Sequence, residues 1–231
     1  MDLAIYRAAN AMEAATKRAE LVSHNVANAG TTGFKRKLSM EFTAAPGRGR
    51  DRQVVHFGQL DFQQGRIERT TDPMNIAIQG DGFLAVDSPR GELYTRNGRL
   101  MLSQSGELLD DSGYPMVWTQ RGAQIDPAGA DLVIETNGEV FQAGRRLGQL
   151  QVVEFANNRS LVELSAGYFE AEPSEQRLPF TGEVLQGHLE SSNVNPVAEL
   201  VELVAAQRTY EMSAQTMRQV DRSYQRLNRP R

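Results

Sequence analysis

Residues 5–29 read IYRAANAMEAATKRAELVSHNVANA, and residues 203–227 read LVAAQRTYEMSAQTMRQVDRSYQRL. In both stretches, residues that suit a buried face recur at alternating steps of three and four, which is the spacing of one helical face. The N-terminal seam consists of Ile5, Ala8, Met12, Ala15, Ala19, Val22, Val26 and Ala29. The C-terminal seam consists of Leu203, Ala206, Tyr210, Ser213, Met217, Val220, Tyr224 and Leu227. Because the first seam is mostly small and the second larger, the pattern predicts two long helices that pair as a coiled-coil-like domain.

Breaker and capping residues define where these two helices end. Gly30 and Gly33 follow the first helix, and Asn193 or Asn195 is suited to cap a second helix that opens with Pro196. A helix from Pro196 to Leu227 would be about 48 Å long, which favours a long helical partner. The ordinary alternative is two amphipathic helices packed on one globular core.

The spacing of turn residues in the middle of the chain is typical of short antiparallel strands. Glycine-containing turns recur there every seven to ten residues. Asn97-Gly98 and Asn137-Gly138 each lie between apolar runs and predict β-hairpins. Further strands are expected within residues 76–78, 83–86 and 147–155, forming an all-β sandwich or open barrel.

The predicted fold class is therefore α+β, with a central, mainly antiparallel β domain. We expect four segments: an N-terminal helix and loop (1–36), an extended linker or hairpin (37–74), a β-rich domain (75–180) and a C-terminal helical segment (187–231). Residues 46–52, rich in Gly and Arg, are predicted to form an exposed loop.

Composition excludes several classes of function. The 231 residues include no Cys and only three His, which lie in different segments without metal-ligand spacing. A net charge of −4 gives no basic field for nucleic acid, and no apolar run reaches the length of a bilayer span. The N-terminus lacks the pattern of a cleaved secretory signal. We therefore predict no metal, no cofactor, no nucleic-acid partner and no membrane-embedded segment.

The sequence also shows no set of residues with the spacing of a known active-site motif. Gly80-Asp81-Gly82 lacks the rest of a dinucleotide fingerprint, and there is no phosphate-binding loop. Five carboxylates, at Asp81, Asp87, Glu107, Asp110 and Asp111, lie beside glycines at predicted turns. We predict no catalytic residue and no small-molecule substrate. The competing hypothesis is a carbohydrate-binding or hydrolytic β domain with helical dimerisation arms.

Charge is distributed unevenly along the chain. Residues 1–40 carry six Lys or Arg and three Asp or Glu, residues 186–231 carry six and five, and so the two ends sum to +4 and the middle to −8. The cluster Lys35-Arg36-Lys37 is expected to contact an acidic surface on a neighbouring molecule, since copies that stack would present one.

Three blocks resemble the flagellar basal-body rod and hook family. They are LVSHNVANAGTTGFKRK at 21–37, DPMNIAIQGDGF at 72–83 with YTRNG at 94–98, and GHLESSNVN at 187–195 leading into AQRTYE at 206–211. The signature positions that match are Asn25, Asn28, Thr32, Gly33, Phe34, Lys35, Gly80, Gly82, Phe83, Ser192, Asn193, Val194, Asn195, Gln207, Arg208 and Tyr210. Within the family the chain looks most like the proximal-rod members, with the distal-rod members next. It has no room for the large outer domain of the hook protein.

The resemblance implies a structural role without enzymatic activity. Members of this family are exported from the cytoplasm by the flagellar type III apparatus without signal cleavage. They polymerise with themselves and with other rod subunits into a hollow helical shaft that crosses the periplasm and carries torque from motor to hook. The two seams are then expected to be assembly interfaces, with the entropy of ordering the tails offset by burial.

Overall fold

A computed structural model describes the chain over residues 2–43, 54–165 and 167–227. Over these ranges it contains two long helices, eighteen strands and one short 3-10 helix, Asn158–Ser160. The helices are α1 (Asp2–Ala27) and α2 (Pro196–Leu227). The strands are β1 (Lys37–Thr43), β2 (Val54–Leu60), β3 (Ile67–Arg69), β4 (Ile76–Gln79), β5 (Phe83–Ser88), β6 (Gly91–Thr95), β7 (Leu100–Leu102), β8 (Leu108–Asp110), β9 (Trp118–Arg121), β10 (Leu132–Ile134), β11 (Glu139–Gln142), β12 (Arg145–Leu150), β13 (Val152–Phe155), β14 (Val162–Ser165), β15 (Tyr168–Glu170), β16 (Arg177–Pro179), β17 (Glu183–Gln186) and β18 (His188–Glu190).

The chain divides into two compact units. The helical unit comprises residues 1–29, 37–61 and 194–231, and the β unit comprises residues 30–36 and 62–193. The helical unit is therefore discontinuous, because its three segments are separated by parts of the β unit. The fold is mixed α+β with antiparallel strand pairs, which confirms the predicted class at that level.

In the helical unit, α1 contacts α2 and also the hairpin formed by β1 and β2. The start of α2 follows the predicted capping chemistry: Asn195 Oδ1 accepts hydrogen bonds from the backbone N–H groups of Val197 at 3.1 Å and Ala198 at 3.2 Å. These bonds satisfy two of the donors that a helix start leaves open. Pro196 occupies the first helical position, where its missing N–H costs nothing.

Two larger sheets form the frame of the β unit. The six-stranded sheet has the order β14-β15-β6-β5-β13-β16, and the four-stranded sheet has the order β10-β11-β12-β9. Three two-stranded pairs complete the unit: β17 with β4, β18 with β3, and β7 with β8. The pairs β4–β17 and β3–β18 join residues more than 100 positions apart in the sequence. They bring the entry and exit of the chain in this unit side by side.

The core of the β unit is aliphatic with an aromatic extension. Its buried side chains include Ile76, Leu84, Val86, Leu108, Val140, Leu147, Leu150 and Val184. Beside them lies an aromatic group with ring centroids 4.8–5.9 Å apart, in which all but one of the ring pairs meet edge to face: Phe62, Phe83, Tyr94, Phe155 and Phe169. Edge-to-face contacts of this kind add to the free energy gained from burial alone.

One predicted hairpin is confirmed and the other is wrong. Asn137-Gly138 lies in the four-residue connection between β10 and β11, with Gly138 at φ 82°. Asn97-Gly98 does not close a hairpin, because β6 pairs with β5 and β15 whereas β7 pairs with β8. Gly98 is required for another reason: a Cβ there would lie 1.7 Å from the carbonyl oxygen of Ile76, to which the backbone comes this close.

Other expectations differ in detail from the structure. The predicted strand over 147–155 is two strands, β12 and β13, which belong to different sheets. Residues 188–190, placed with the C-terminal helix, form β18, and the helix begins at Pro196. The predicted loop 46–52 lies outside the described residues.

Candidate assembly interface

The two seams provide the least exposed faces of α1 and α2. Four seam residues are buried, namely Ala8, Ala15, Val22 and Ala206. Ile5, Met12, Ala19, Val26, Ala29, Leu203, Ser213, Met217, Val220 and Tyr224 are of intermediate exposure. Tyr210 is 43 % exposed, and the side chain of Leu227 lies outside the described part of the chain. Because α1 and α2 contact each other, some of the seam burial comes from within one chain.

A buried polar group connects α1, α2 and β1 in the helical unit. The Asn25 side chain pairs with the backbone of Lys37, accepting from its N–H at 2.9 Å and donating to its carbonyl at 2.9 Å. The Asn25 amide also donates to Glu199 Oε2 at 3.0 Å. Asn25 and Glu199 are each 1 % exposed. Buried polar groups require such partners, so this group fixes the relative position of the three elements.

A second apolar surface, not predicted from the sequence, lies on α2. Val197, Leu200, Val201, Val204 and Met212 are between 48 % and 71 % exposed, and we call this set the outer stripe. At 100° per residue, Val197 lies about 180° around the helix from the buried Ala206. The three-four spacing of 197, 201 and 204 is the signal that could have revealed it. Clustered exposed apolar side chains are typical of a surface that another protein covers.

The loop of residues 30–36 is held in the β unit by a buried charge cluster. Lys35 Nζ lies 2.7 Å from Glu190 Oε1 and 2.9 Å from the Gln63 carbonyl oxygen. The second oxygen of Glu190 accepts from Arg96 Nη1 at 3.2 Å, and all three side chains are at most 1 % exposed. The expectation that the 35–37 cluster contacts a neighbouring molecule is therefore wrong for Lys35. Its partner comes from β18, 155 residues away, which no local pattern signals.

Arg96 is the second cation of this cluster. Burial lowers the pKa of Arg96, while the adjacent Glu190 carboxylate opposes that shift. The guanidinium also lies over the Phe83 ring, 4.8 Å from its centroid. The cluster therefore stabilises two buried cations with one shared carboxylate and one aromatic face.

Several signature residues are required by the backbone geometry of the same loop, residues 30–36. Gly33 has φ 68°, and a Cβ there would lie 2.5 Å from the backbone of Arg96. Phe34 is fully buried. Asn193 Oδ1 accepts from the Arg36 N–H at 2.7 Å, and its amide donates to the Gln63 carbonyl at 3.0 Å. The structure thus brings signature residues from both ends of the chain to one place in the β unit.

The remaining signature residues are spread over several elements. Asn28 bonds back to the carbonyl of His24 at the end of α1. A Cβ on Gly80 or Gly82 would meet Gly182 or Phe180, and Phe83 is buried in the core. Thr32 and Ser192 are half-buried, Val194 is buried, and Asn195 caps α2. Gln207, Arg208 and Tyr210 are exposed on α2.

Among the turn carboxylates, Asp110 bonds the backbone of its own turn, whereas Glu107 and Asp111 contact the side chains of Arg121 and Asn97. Asp110 Oδ1 accepts from the N–H groups of Ser112 at 3.0 Å and Tyr114 at 2.7 Å, and Oδ2 accepts from the Tyr168 hydroxyl at 2.6 Å. Within residues 2–43, 54–165 and 167–227, no three His, Asp or Glu side chains gather as a metal ion would need. In the same ranges neither helix has the apolar length that a bilayer span requires.

Comparison with known families places these features in a class. The chain matches models described as flagella basal body rod protein at residues 5–35, flagellar hook protein FlgE/F/G D1 domain at 77–142, and flagellar basal body rod FlgEFG protein C-terminal at 185–229. These segments contain α1, the first part of the β unit and α2. They define an axial rod or hook protein of the flagellum.

Curated relatives assign the family. The flagellar basal-body rod protein FlgF of Mesorhizobium japonicum is 32 % identical over 231 residues, covering 95 % of this chain and 93 % of the relative. FlgF of Escherichia coli is 30 % identical with 99 % and 98 % covered, and FlgG of Caulobacter vibrioides is 30 % identical with 96 % and 97 % covered. The chain belongs to the flagellar basal-body rod protein family. It is a structural protein of that group.

Proposed function

We propose that the chain polymerises with itself and with other rod subunits into a hollow shaft that transmits torque from the flagellar motor to the hook. The outer stripe of α2 is the observation that most directly supports this proposal. Fully burying a Val or Leu side chain contributes about 1.5–3 kcal/mol, so leaving several exposed is costly unless another molecule covers them. A helical neighbour in the shaft would provide that cover.

The two terminal helices are proposed to pair as a coiled coil inside this shaft. The small seam residues of α1 and the larger ones of α2 support the proposal, as does the lower exposure of both seams relative to the rest of each helix. The seam residues, including Leu203, Met217 and Tyr224, would then contribute to contacts within and between subunits. Rigid helices packed along the axis suit a shaft under torsion.

Location and export belong to the same proposal. The rod would span the periplasm within the basal body, and the chain would leave the cytoplasm through the flagellar type III apparatus without signal cleavage. The absence of Cys from the sequence suits passage of an unfolded chain, since no disulfide can form on the way. No catalytic step, cofactor or small-molecule substrate is part of this function.

A proximal position in the rod is preferred, with a distal position as the alternative. Relatives named FlgF and FlgG match at similar identity, so position within the rod requires a direct measurement. The four-segment division of the chain (1–36, 37–74, 75–180 and 187–231) is retained as a proposal about folding units.

The test is incorporation of variants into basal bodies of a strain that lacks the native gene. Val201→Asp introduces a charge into the outer stripe, and Gln219→Asp is the matched control, because residue 219 lies on the same side of α2 beyond the stripe and is exposed. Val201→Asp should abolish incorporation and motility, while Gln219→Asp should behave as wild type. Leu203→Asp and Met217→Asp should also block incorporation, with the β unit still folded.

Two results would contradict the proposal. Wild-type levels of Val201→Asp in purified basal bodies would show that the outer stripe is not an assembly surface. Absence of the wild-type chain from rod preparations would reject the function itself. Immunogold labelling along the rod, read in the same preparations, separates proximal from distal placement.

A further inference from the structure

A cleft of about 410 Å³ lies in the β unit where β3 meets β18. Residues lining it include Arg69, Thr70, Thr71, Gln186, Gly187 and His188. Arg69 and His188 are direct partners in the antiparallel register of the two strands. Their side chains therefore lie side by side on one face of the pair. Both are basic, and none of the residues lining the cleft is acidic.

Most polar groups of the cleft wall are already engaged. The Gln186 amide nitrogen donates to the carbonyls of Pro73 and Leu132, each at 2.8 Å, and its oxygen accepts from the Ile134 N–H at 3.0 Å. The Thr70 N–H donates to the Gly187 carbonyl at 2.7 Å. These bonds hold the wall in a fixed shape. They also mean that Gln186 and the backbone here have little capacity left for a ligand.

The cation of the cleft with capacity left for a ligand is Arg69. Arg69 is exposed and takes part in none of the ion pairs found among the described residues. The His188 Nδ1 lies 2.8 Å from the Gln186 carbonyl, which can only accept, so Nδ1 carries a proton and Nε2 is the remaining nitrogen. The nearby Asp72 carboxylate is engaged by the Met74 N–H at 2.9 Å. Arg69 can therefore bind a ligand that presents hydrogen-bond acceptors and negative charge, which a carboxylate does.

The same chain displays such carboxylates on a different surface. The end of β15 and its connection to β16 contain Glu170, Glu172 and Glu175 within six residues. Glu175 Oε1 accepts from the Asn157 N–H, whereas Glu170 and Glu172 are exposed. A hydrogen bond from the Glu175 N–H to the Glu172 carbonyl at 2.9 Å shapes this acidic turn. We call residues 170–175 the acidic turn.

We propose that the cleft of one subunit binds the acidic turn of a second copy of this chain, with Arg69 as the main contact for Glu172. This inference rests on the proposed rod function. Because the cleft and the turn are different surfaces of one chain, their contact is head-to-tail and can repeat without closing, as a helical polymer requires. Charge complementarity of this kind fixes register and orientation more than it adds affinity.

The binding test uses the full chain labelled with ¹⁵N and a synthetic peptide of residues 170–176. The peptide should shift resonances of cleft residues at low ionic strength. Arg69→Glu should weaken that binding about 5-fold or more, as expected for loss of one charge pair of about 1 kcal/mol. Arg90→Glu is the matched control, because Arg90 is an exposed arginine of the same unit outside the cleft. A peptide with Gln in place of its three Glu residues should not bind.

The assembly test uses reciprocal charge changes in cells. Arg69→Glu and Glu172→Arg should each reduce the amount of protein in the rod, and the variant carrying both changes should recover. Equal binding by the Gln peptide, an Arg69→Glu affinity equal to wild type, or acetate competing as strongly as the peptide would each overturn the proposal. If the single variants assemble normally while Val201→Asp does not, the cleft inference fails and the rod function stands.

Discussion

Glu190→Gln should be the most destabilising conservative substitution in the β unit. In the native chain the Glu190 carboxylate accepts hydrogen bonds from Lys35 Nζ at 2.7 Å, Arg96 Nη1 at 3.2 Å and the Gly65 N–H at 2.9 Å. A neutral amide removes the carboxylate charge that these two buried cations share, which costs about 3–5 kcal/mol. For a chain of this size, that loss corresponds to a melting temperature lower by roughly 6–20 °C.

Urea titration followed by the fluorescence of Trp118 measures this effect, because Trp118 is the only tryptophan and lies in the β unit. Glu68→Gln is the matched control: Glu68 is exposed on β3, opposite Leu189, and its change should stay within about 0.5 kcal/mol. The combined variant Lys35→Met, Glu190→Leu and Arg96→Met should regain most of the lost stability, because an apolar set replaces the whole cluster. A loss below about 1 kcal/mol for Glu190→Gln would refute the reasoning.

Three further changes test other parts of the structure. Asn25→Ala removes three hydrogen bonds of a buried side chain and should lower the free energy of unfolding of the helical unit by about 2–3 kcal/mol. Far-ultraviolet circular dichroism measures this loss. A loss indistinguishable from zero would show that the bonds do not hold the unit together. Burial, with the hydrogen bond to Asp110, raises the pKa of Tyr168, so the folded state keeps a proton that the unfolded chain releases above about pH 10. The stability that this group contributes should therefore be complete below that pH and be lost as pH rises beyond it. Between pH 9 and pH 11, the free energy of unfolding from urea titrations should fall less in Tyr168→Phe than in the wild type, and an equal fall in both would contradict this. Gly98→Ala should cost about 3 kcal/mol, because its Cβ would meet the Ile76 carbonyl oxygen at 1.7 Å, and a thermal melt equal to wild type would contradict that contact.

Local patterns in the sequence were sufficient for the helices and for one hairpin. The three-four spacing predicted α1 and α2, and the capping chemistry of Asn195 placed the start of α2. The Asn137-Gly138 hairpin followed because its two strands are adjacent in the chain. Each of these features depends on residues within a few positions of one another.

Contacts between distant residues were not predictable by the same means. The dipeptide Asn97-Gly98 has the composition of a hairpin turn, yet its glycine is needed for close approach to Ile76. Lys35 looked like a surface charge because its partner, Glu190, is far along the chain. The seams were visible as periodic patterns, but which surface covers each position depends on the fold and on neighbouring molecules. The outer stripe had a detectable spacing and was hidden by the stronger seam on the opposite face of α2.

The discontinuity of the helical unit has a kinetic consequence. Asn25 and Glu199 are 174 residues apart, so closing that loop in an unfolded chain costs about 4–5 kcal/mol of entropy in addition to a constant. Once Lys35 and Glu190 are held together in a folded β unit, only ten residues remain from Asn25 to Lys35 and nine from Glu190 to Glu199. That shorter loop lowers the closing cost by roughly 2 kcal/mol. A β unit that is already folded would thus act as a template that makes pairing of the two chain ends less costly.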